Sequence, residues 1–275
     1  SYTATPYGNF LNENSEESLY PKDFIISLPK SSQYIGAGEI FGNEDDIIDP
    51  LPILEEISEN DYEKMENLSA DNLNFPESLK NSICWFICTL AVQRYKKSLK
   101  PVSMLIHTNT NTGVHKTTAD AVEKWLNINK SNLLDECKKI YNIERNKLSK
   151  EEFLRVMNNY NFDGLHPVND YPEFEDIESE IKSILDAEIS HITITEKGDL
   201  KFHKGIHIVI DNSNNKRGID ENGNFIRLAY PEKGTVDVAS GLIVIGGNTL
   251  ARGLTLDGLT SSYFSRKVSQ ADSLM

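Results

Sequence analysis

Apolar residues fall in two kinds of run along this chain. Phe24, Ile25, Ile26 and Leu28 precede Pro29; Val102, Met104, Leu105 and Ile106 follow Pro101; Ile206, Ile208, Val209 and Ile210 form a third run, and Leu242 to Ile245 a fourth. Short, nearly continuous apolar runs of this kind predict strands buried on both faces of a parallel sheet. Residues 259–264 are one more strand candidate. Between these runs the spacing is helical. Leu79, Ile83, Phe86, Ile87 and Leu90 follow Pro76, which suits a first turn. Val122 and Trp125 anchor a helix over about 117–127, the charged stretch 131–160 reads as another broken near Asn142, and 174–187 reads as a third. Asp220-Glu221-Asn222-Gly223-Asn224 is a turn signal. No internal repeat is visible. Alternating strands and helices predict an α/β fold, a three-layer, mostly parallel sheet with helices on both faces.

Composition narrows the classes. With 275 residues, 39% hydrophobic and 25% charged, the chain is neither collagen-like, mucin-like nor wholly disordered. No stretch approaches the roughly 20 apolar residues of a membrane span. The start, Ser1-Tyr2-Thr3, is not a basic region leading into an apolar core, so no secretory signal is read. Three cysteines are an odd count without metal-type spacing, which favours a reducing, cytoplasmic setting; Cys84 and Cys88 read as buried thiols. The net charge of -14 repels nucleic acid on average, although a local basic groove can hide inside an acidic total.

Three other features are read as structural. Acidic residues crowd 39–66, where Lys64 is the only basic one; this is an exposed connector or solvated helix face, or else a patch that docks a basic partner. Glu173, Glu175, Asp176, Glu178 and Glu180 read as a solvated helix face rather than a nuclease cluster. His203 and His207 are four apart across turn and strand and read as structural or exposed, and Trp85 and Trp125 as core.

Ligands of open α/β sheets gather beyond the carboxyl ends of strands. Three such ends stand out: Thr3-Ala4-Thr5-Pro6, His107-Thr108-Asn109, and the stretch from Gly246-Gly247-Asn248-Thr249 through Arg252-Gly253 to Leu259. In the third, glycines let backbone approach a ligand and an arginine supplies a permanent bidentate charge. It is either a phosphate or nucleotide loop or a structural turn; no Gly-Lys-Ser/Thr follows, so it is not a Walker A loop. His107 is a nucleotide or DNA contact or a packing residue, and Arg266 pairs with a carboxylate or faces a lobe interface.

These blocks carry a resemblance. Thr3-Ala4-Thr5-Pro6 resembles motif III of superfamily-two helicases, and Gly246 to Thr255 resembles their motif V. The closer similarity is to the Z-one domain family, an endonuclease-labelled domain attached to superfamily-two helicase-like ATPases of bacteria. Tyr2 to Phe10, Ser103 to Thr108, and Ile243 to Leu259 followed by Tyr263-Phe264-Ser265-Arg266 carry it, spread over nearly the whole chain. The resemblance implies two RecA-like lobes with ATP and Mg between them in the intact protein. The Walker A lysine and metal-binding acids would precede Ser1, and the arginine finger of motif VI would follow Met275. The chain alone is therefore expected to hold no cofactor and to hydrolyse nothing.

By the same resemblance, Thr3 and Thr5 link the nucleotide site to lobe motion, and Arg252 and Gly253 lie near the lobe interface. Gly246, Gly247, Asn248 and Thr249 meet DNA phosphates at the strand end. Thr255 stands where many helicases have aspartate, and Asp257 is out of register. The implied organisation is the end of a first RecA-like lobe over 1–42, an acidic connector and helix over 43–101, and a second lobe over 102–275, incomplete at its carboxyl end. The implied function is a fragment of a helicase-like, ATP-dependent, DNA-acting protein of bacterial restriction or antiphage defence, with other defence subunits as partners and no membrane. A non-catalytic interaction module and a metal-dependent endonuclease are the alternatives.

Overall fold

The computed structural model describes residues 26, 29, 36–42, 49–108, 111–156, 169–194, 200–211, 228–232, 234–247 and 256–265. The chain divides into two units, one of 1–50 with 154–167, the other of 51–153 with 168–275. In the first unit a single short helix is described, α1 (Ala37–Phe41). The expected strand at 23–28 (all but Ile26) and the turn at 220–224 lie outside the described residues.

The second unit holds the sheet. Its elements are α2 (Glu59–Glu66), α3 (Glu77–Tyr95), β1 (Val102–His107), α4 (Thr112–Glu144), α6 (Phe174–Asp186), β2 (Ile189–His191), β3 (Thr193–Ile194), β4 (Leu200–Lys201), β5 (Ile206–Asp211), β6 (Gly241–Gly246) and β7 (Leu259–Phe264). Helix α5 (Lys150–Val156) crosses the boundary between the units in sequence. Five strands form one sheet in the order β2-β5-β6-β1-β7, every pair parallel, and β3 with β4 is a small antiparallel ribbon. The α/β, parallel expectation holds.

The central strands β5 and β6 are buried at every position, as their unbroken apolar runs require. Val102, Met104, Ile106, Ile206, Ile208, Ile210, Ile243, Ile245 and Tyr263 share one core with α3, α4 and α6; this is the front face. The back face is covered differently. Val209, Leu242 and Val244 pack under Phe202, Leu228, Tyr230 and Leu256, so among the described residues extended segments lie where helices were expected. Helix α4 runs unbroken over 112–144 instead of as two pieces. Its mid-helix asparagines turn their amides onto the preceding turn, Asn127 to the Glu123 carbonyl (3.0 Å) and Asn129 to that of Trp125 (2.8 Å), which keeps the ladder intact.

Local polar anchors hold the helices. Pro76 opens α3 without a side-chain cap, and the Ser78 N–H donates instead to Asp61 of α2 at 2.7 Å. Burial pushes the Asp61 carboxyl up, but the Ser78 and Lys64 hydrogen bonds outweigh it and hold it below the usual range. The acidic stretch is therefore not uniformly solvated: Glu59, Glu63 and Glu66 face water while Asp61 is structural. Glu173 caps α6 in a reciprocal capping box with Asp176, as a structural acid. Cys84, Cys88 and Cys137 are free, buried thiols between α3 and α4, and Phe75 stacks on Trp125 with centroids 4.2 Å apart.

Arg94, near the end of α3, is buried. Its guanidinium donates to the carbonyls of Ala239 (3.0 and 2.9 Å) and Lys204 (2.6 Å), tying together the segments that enter β6 and β5. Burial lowers its pKa to about 10, so it remains a cation at neutral pH. Arg94→Leu strips both carbonyls of a charged partner and should cost about 3 kcal/mol in urea denaturation. A loss below about 1 kcal/mol would show that water replaces the guanidinium there.

Candidate functional site at the strand tips

The carboxyl ends of β5, β6, β1 and β7 form one edge of the sheet. Register places Asp211, Gly246, His107 and Phe264 side by side in a row on the back face. Asp211 and His107 are both buried, and Gly246 between them contributes no side chain. The His107 and Phe264 rings lie 4.7 Å apart. One residue further on, the backbone closes the tips: the Thr108 N–H donates to Gly246 O and the Ser265 N–H to His107 O, both at 3.0 Å.

Thr108 and Ser265 therefore stand beside each other on neighbouring strand tips, and alternation from His107 and Phe264 turns them to the front. The Thr108 residue is buried, and both hydroxyl oxygens are shielded from solvent without a hydrogen-bond partner among the described residues. Unpaired buried hydroxyls cost free energy and call for an explanation.

The chain leaves β1 over the front face through α4, and enters β7 from the back face, where Leu256 packs. Adjacent strands whose connections depart to opposite faces define the topological switch point of an α/β sheet, the place where such folds bind ligands. Here it lies between His107-Thr108 and Gly246-Gly247. The amino end of α4 also opens here. Asn111 caps it by accepting from the Gly113 N–H at 2.9 Å, and its first turn carries no acidic residue. A helix start of this kind favours an anion.

Of the residues singled out by sequence, His107, Gly246 and Gly247 converge on this edge. Asn248, Thr249, Arg252, Gly253 and Thr255, together with Thr3, Thr5 and Arg266, lie outside the described residues. Sequence reasoning named the strand end His107-Thr108-Asn109 without giving Thr108 a role of its own, and gave none to Asp211 or Ser265. The available signal was position alone, a polar residue directly at or after the end of an apolar strand. Among the described residues no three His, Cys, Asp or Glu side chains are grouped to hold a metal.

The histidines at the other end of β5 are structural. His203 and His207 lie 3.8 Å apart between ring centroids. His203 Nδ1 accepts from the Gly205 N–H at 3.1 Å, which puts the ring proton on Nε2, 3.2 Å from Ser190 Oγ. With Nε2 donating, this ring cannot act as the base for that serine.

A five-strand, all-parallel α/β sheet is consistent with the Rossmann or RecA-like class of folds. Residues 78–275 match the Z1 domain. The chain belongs to the Z1 domain family. No curated protein and no solved structure matches it.

Proposed function

We propose that this chain is the second-lobe part of a helicase-like, ATP-dependent, DNA-acting protein, and that the strand tips grip a phosphate. The observation that carries the reading is a pair of buried hydroxyls that have no partner among the described residues, Thr108 Oγ1 at the switch point where α4 begins and Ser265 Oγ on the neighbouring tip of β7. Two hydroxyl donors and the amides of a helix start free of acids are a donor set suited to a phosphate oxygen. The membership in the Z1 family and the glycine pair at the tip of β6 agree with it. On this reading ATP and Mg belong to the intact protein, where the bound nucleotide would drive lobe movement. DNA is the partner, other subunits of a bacterial defence system assemble with it, and the setting is cytoplasmic. Arg252, Gly253 and Thr255 serve the lobe interface, with Thr3 and Thr5 on the opposing lobe, while Asn248 and Thr249 join His107, Gly246 and Gly247 at the phosphates.

The test is a salt titration of DNA binding with an ATPase assay on the full-length parent, using Arg252→Ala as the control for nucleotide coupling. Thr108→Val should weaken DNA binding by about tenfold with the salt slope unchanged, because a neutral hydroxyl displaces no counterion. The same change should leave stability equal or higher, because it removes an unpaired buried hydroxyl. A parent that neither hydrolyses ATP nor binds DNA would end the reading.

A further inference from the structure

In the second unit, exposed large apolar side chains come close in sequence at two places among the described residues. Ile53 and Leu54 are 52% and 60% exposed, and Tyr95 and Leu99 are 44% and 52% exposed. Neighbouring exposed apolar side chains mark an interaction site in a way that a lone one does not. The two places carry opposite charge. Leu54 runs into Glu55 and Glu56, both exposed, in a stretch that is neither helix nor strand. Tyr95 and Leu99 stand among exposed Lys96, Lys97 and Lys100, within a run from Ser78 to Ala119 that contains no acidic residue. In a chain of 42 acids against 28 lysines and arginines, that run makes this turn a locally basic surface.

The backbone of the basic turn is a second observation. At the end of α3 the Lys97 N–H donates to Arg94 O and the Ser98 N–H to Gln93 O, both at 2.9 Å, which is the Schellman pattern. Its left-handed position usually belongs to glycine. Here Lys97 occupies it at φ +55°, the one described residue other than glycine with a positive φ. Strain kept in this way points to a use for the side chain. The Lys97 side chain is 82% exposed, and its ion pair with Glu180 is long, at 3.8 Å. Lys204, whose carbonyl Arg94 holds, is matched by Asp237 at 2.8 Å. Lys96 and Lys100 form no ion pair with a described residue. On the acidic side Glu55 is engaged by Lys147, whereas Glu56 forms no ion pair with a described residue.

We propose that the acidic segment 53–56 of one copy of the chain docks on the basic turn 95–100 of a second copy. The apolar pairs meet at the centre, and the glutamates face the lysines at the rim. Copies with a net charge of -14 repel on average, so they can approach only where a local patch of opposite sign is matched to an apolar one, and these two segments supply both. The contact is between unlike surfaces, so copies add head to tail until a ring closes. It is independent of the phosphate reading, because the turn enters β1 at the end opposite the strand tips.

Sedimentation of the full chain at about 100 µM, ten times a Kd of about 10 µM, should give at least twice the 31.0 kDa chain mass. Lys96→Glu with Lys100→Glu reverses the basic half. Leu54→Ser with Glu56→Lys reverses the acidic half. All four positions are exposed, so each double variant should keep the wild-type melting temperature and sediment as a monomer. An equimolar mixture should recover a heterodimer, since each variant keeps the half that the other has lost. Either variant alone serves as the test should the other fail to fold. A monomeric wild type, an assembly that a folded variant leaves intact, or a mixture of folded variants that stays monomeric overturns the docking.

Discussion

Alanine at Gly258 is expected to destabilise the chain by about 3–5 kcal/mol, among the largest losses for adding one methyl group. Gly258 has φ +65°, where an L side chain is strained by about 1–2 kcal/mol. That term alone would be tolerable. The larger one is steric: a Cβ built there would sit 1.9 Å from the Pro101 carbonyl oxygen and 2.9 Å from its carbon. Both are backbone atoms at the entry to β1, so no side chain can rotate away. The same glycine accepts from the Ser103 N–H at 2.8 Å and thereby starts the β1–β7 ladder. Moving it to relieve the contact breaks that bond. The neighbouring Asp257 is pinned as well, its N–H donating to the Tyr230 hydroxyl at 3.0 Å and its carbonyl accepting from Ser103 Oγ at 2.8 Å. Urea denaturation of Gly258→Ala checks the figure, and a loss under about 1 kcal/mol would mean that the two strands separate freely at this end. Hydrogen exchange should localise the damage, with β7 amides losing protection before those of β5 and β6.

How far the sequence reveals this fold depends on how each element earns its burial. β5 and β6 are legible because they are covered on both faces, which leaves an unbroken apolar run. α3 is legible because Leu79, Ile83, Phe86, Ile87 and Leu90 all enter one core. β2 is not, since Ile189-Ser190-His191 holds its place by pairing with β5, a long-range bond without local pattern. The length of α4 is hidden for a similar reason. Asn127 and Lys130 look like helix breakers and solvent residues, yet they reach the carbonyls of Ile189 (3.3 Å) and Ala187 (2.7 Å). At the strand tips, His107 and Gly246 are found because ligand-binding ends follow apolar runs. Thr108 and Ser265 differ from ordinary loop residues only in being buried without partners, which no sequence displays. Asp61 is the converse case, an acid in an acidic stretch whose inward turn depends on an uncapped helix start sixteen residues later.

Acidification should unfold this domain through His207 in addition to its carboxylates. Its ring is fully buried, and that burial, with the neighbouring His203 charge second, lowers its pKa from 6.5 to about 3. His191 shifts in the same direction, again through burial. The sign follows from proton counting. Between pH 6.5 and 3 the unfolded chain holds a proton on this imidazole that the folded chain excludes, so stability falls as pH drops through that window. By pH 4.5 the single group accounts for about 2–3 kcal/mol, rising to roughly 4 kcal/mol near pH 3. Relaxation around a protonated ring reduces these figures, because His207 Nε2 lies only 3.2 Å from the His203 carbonyl, an acceptor that an imidazolium can use. The carboxylates confuse the total, since Asp61 is held below its ordinary range and also loses stabilisation in acid. A substitution separates the two. His207→Gln cannot take up a proton in either state, so its stability at neutral pH will be lower but its decline between pH 7 and 4.5 shallower by about 2 kcal/mol. Parallel declines for variant and wild type would mean that His207 is protonated in the folded chain, and that the histidine pair opens to water before the domain unfolds.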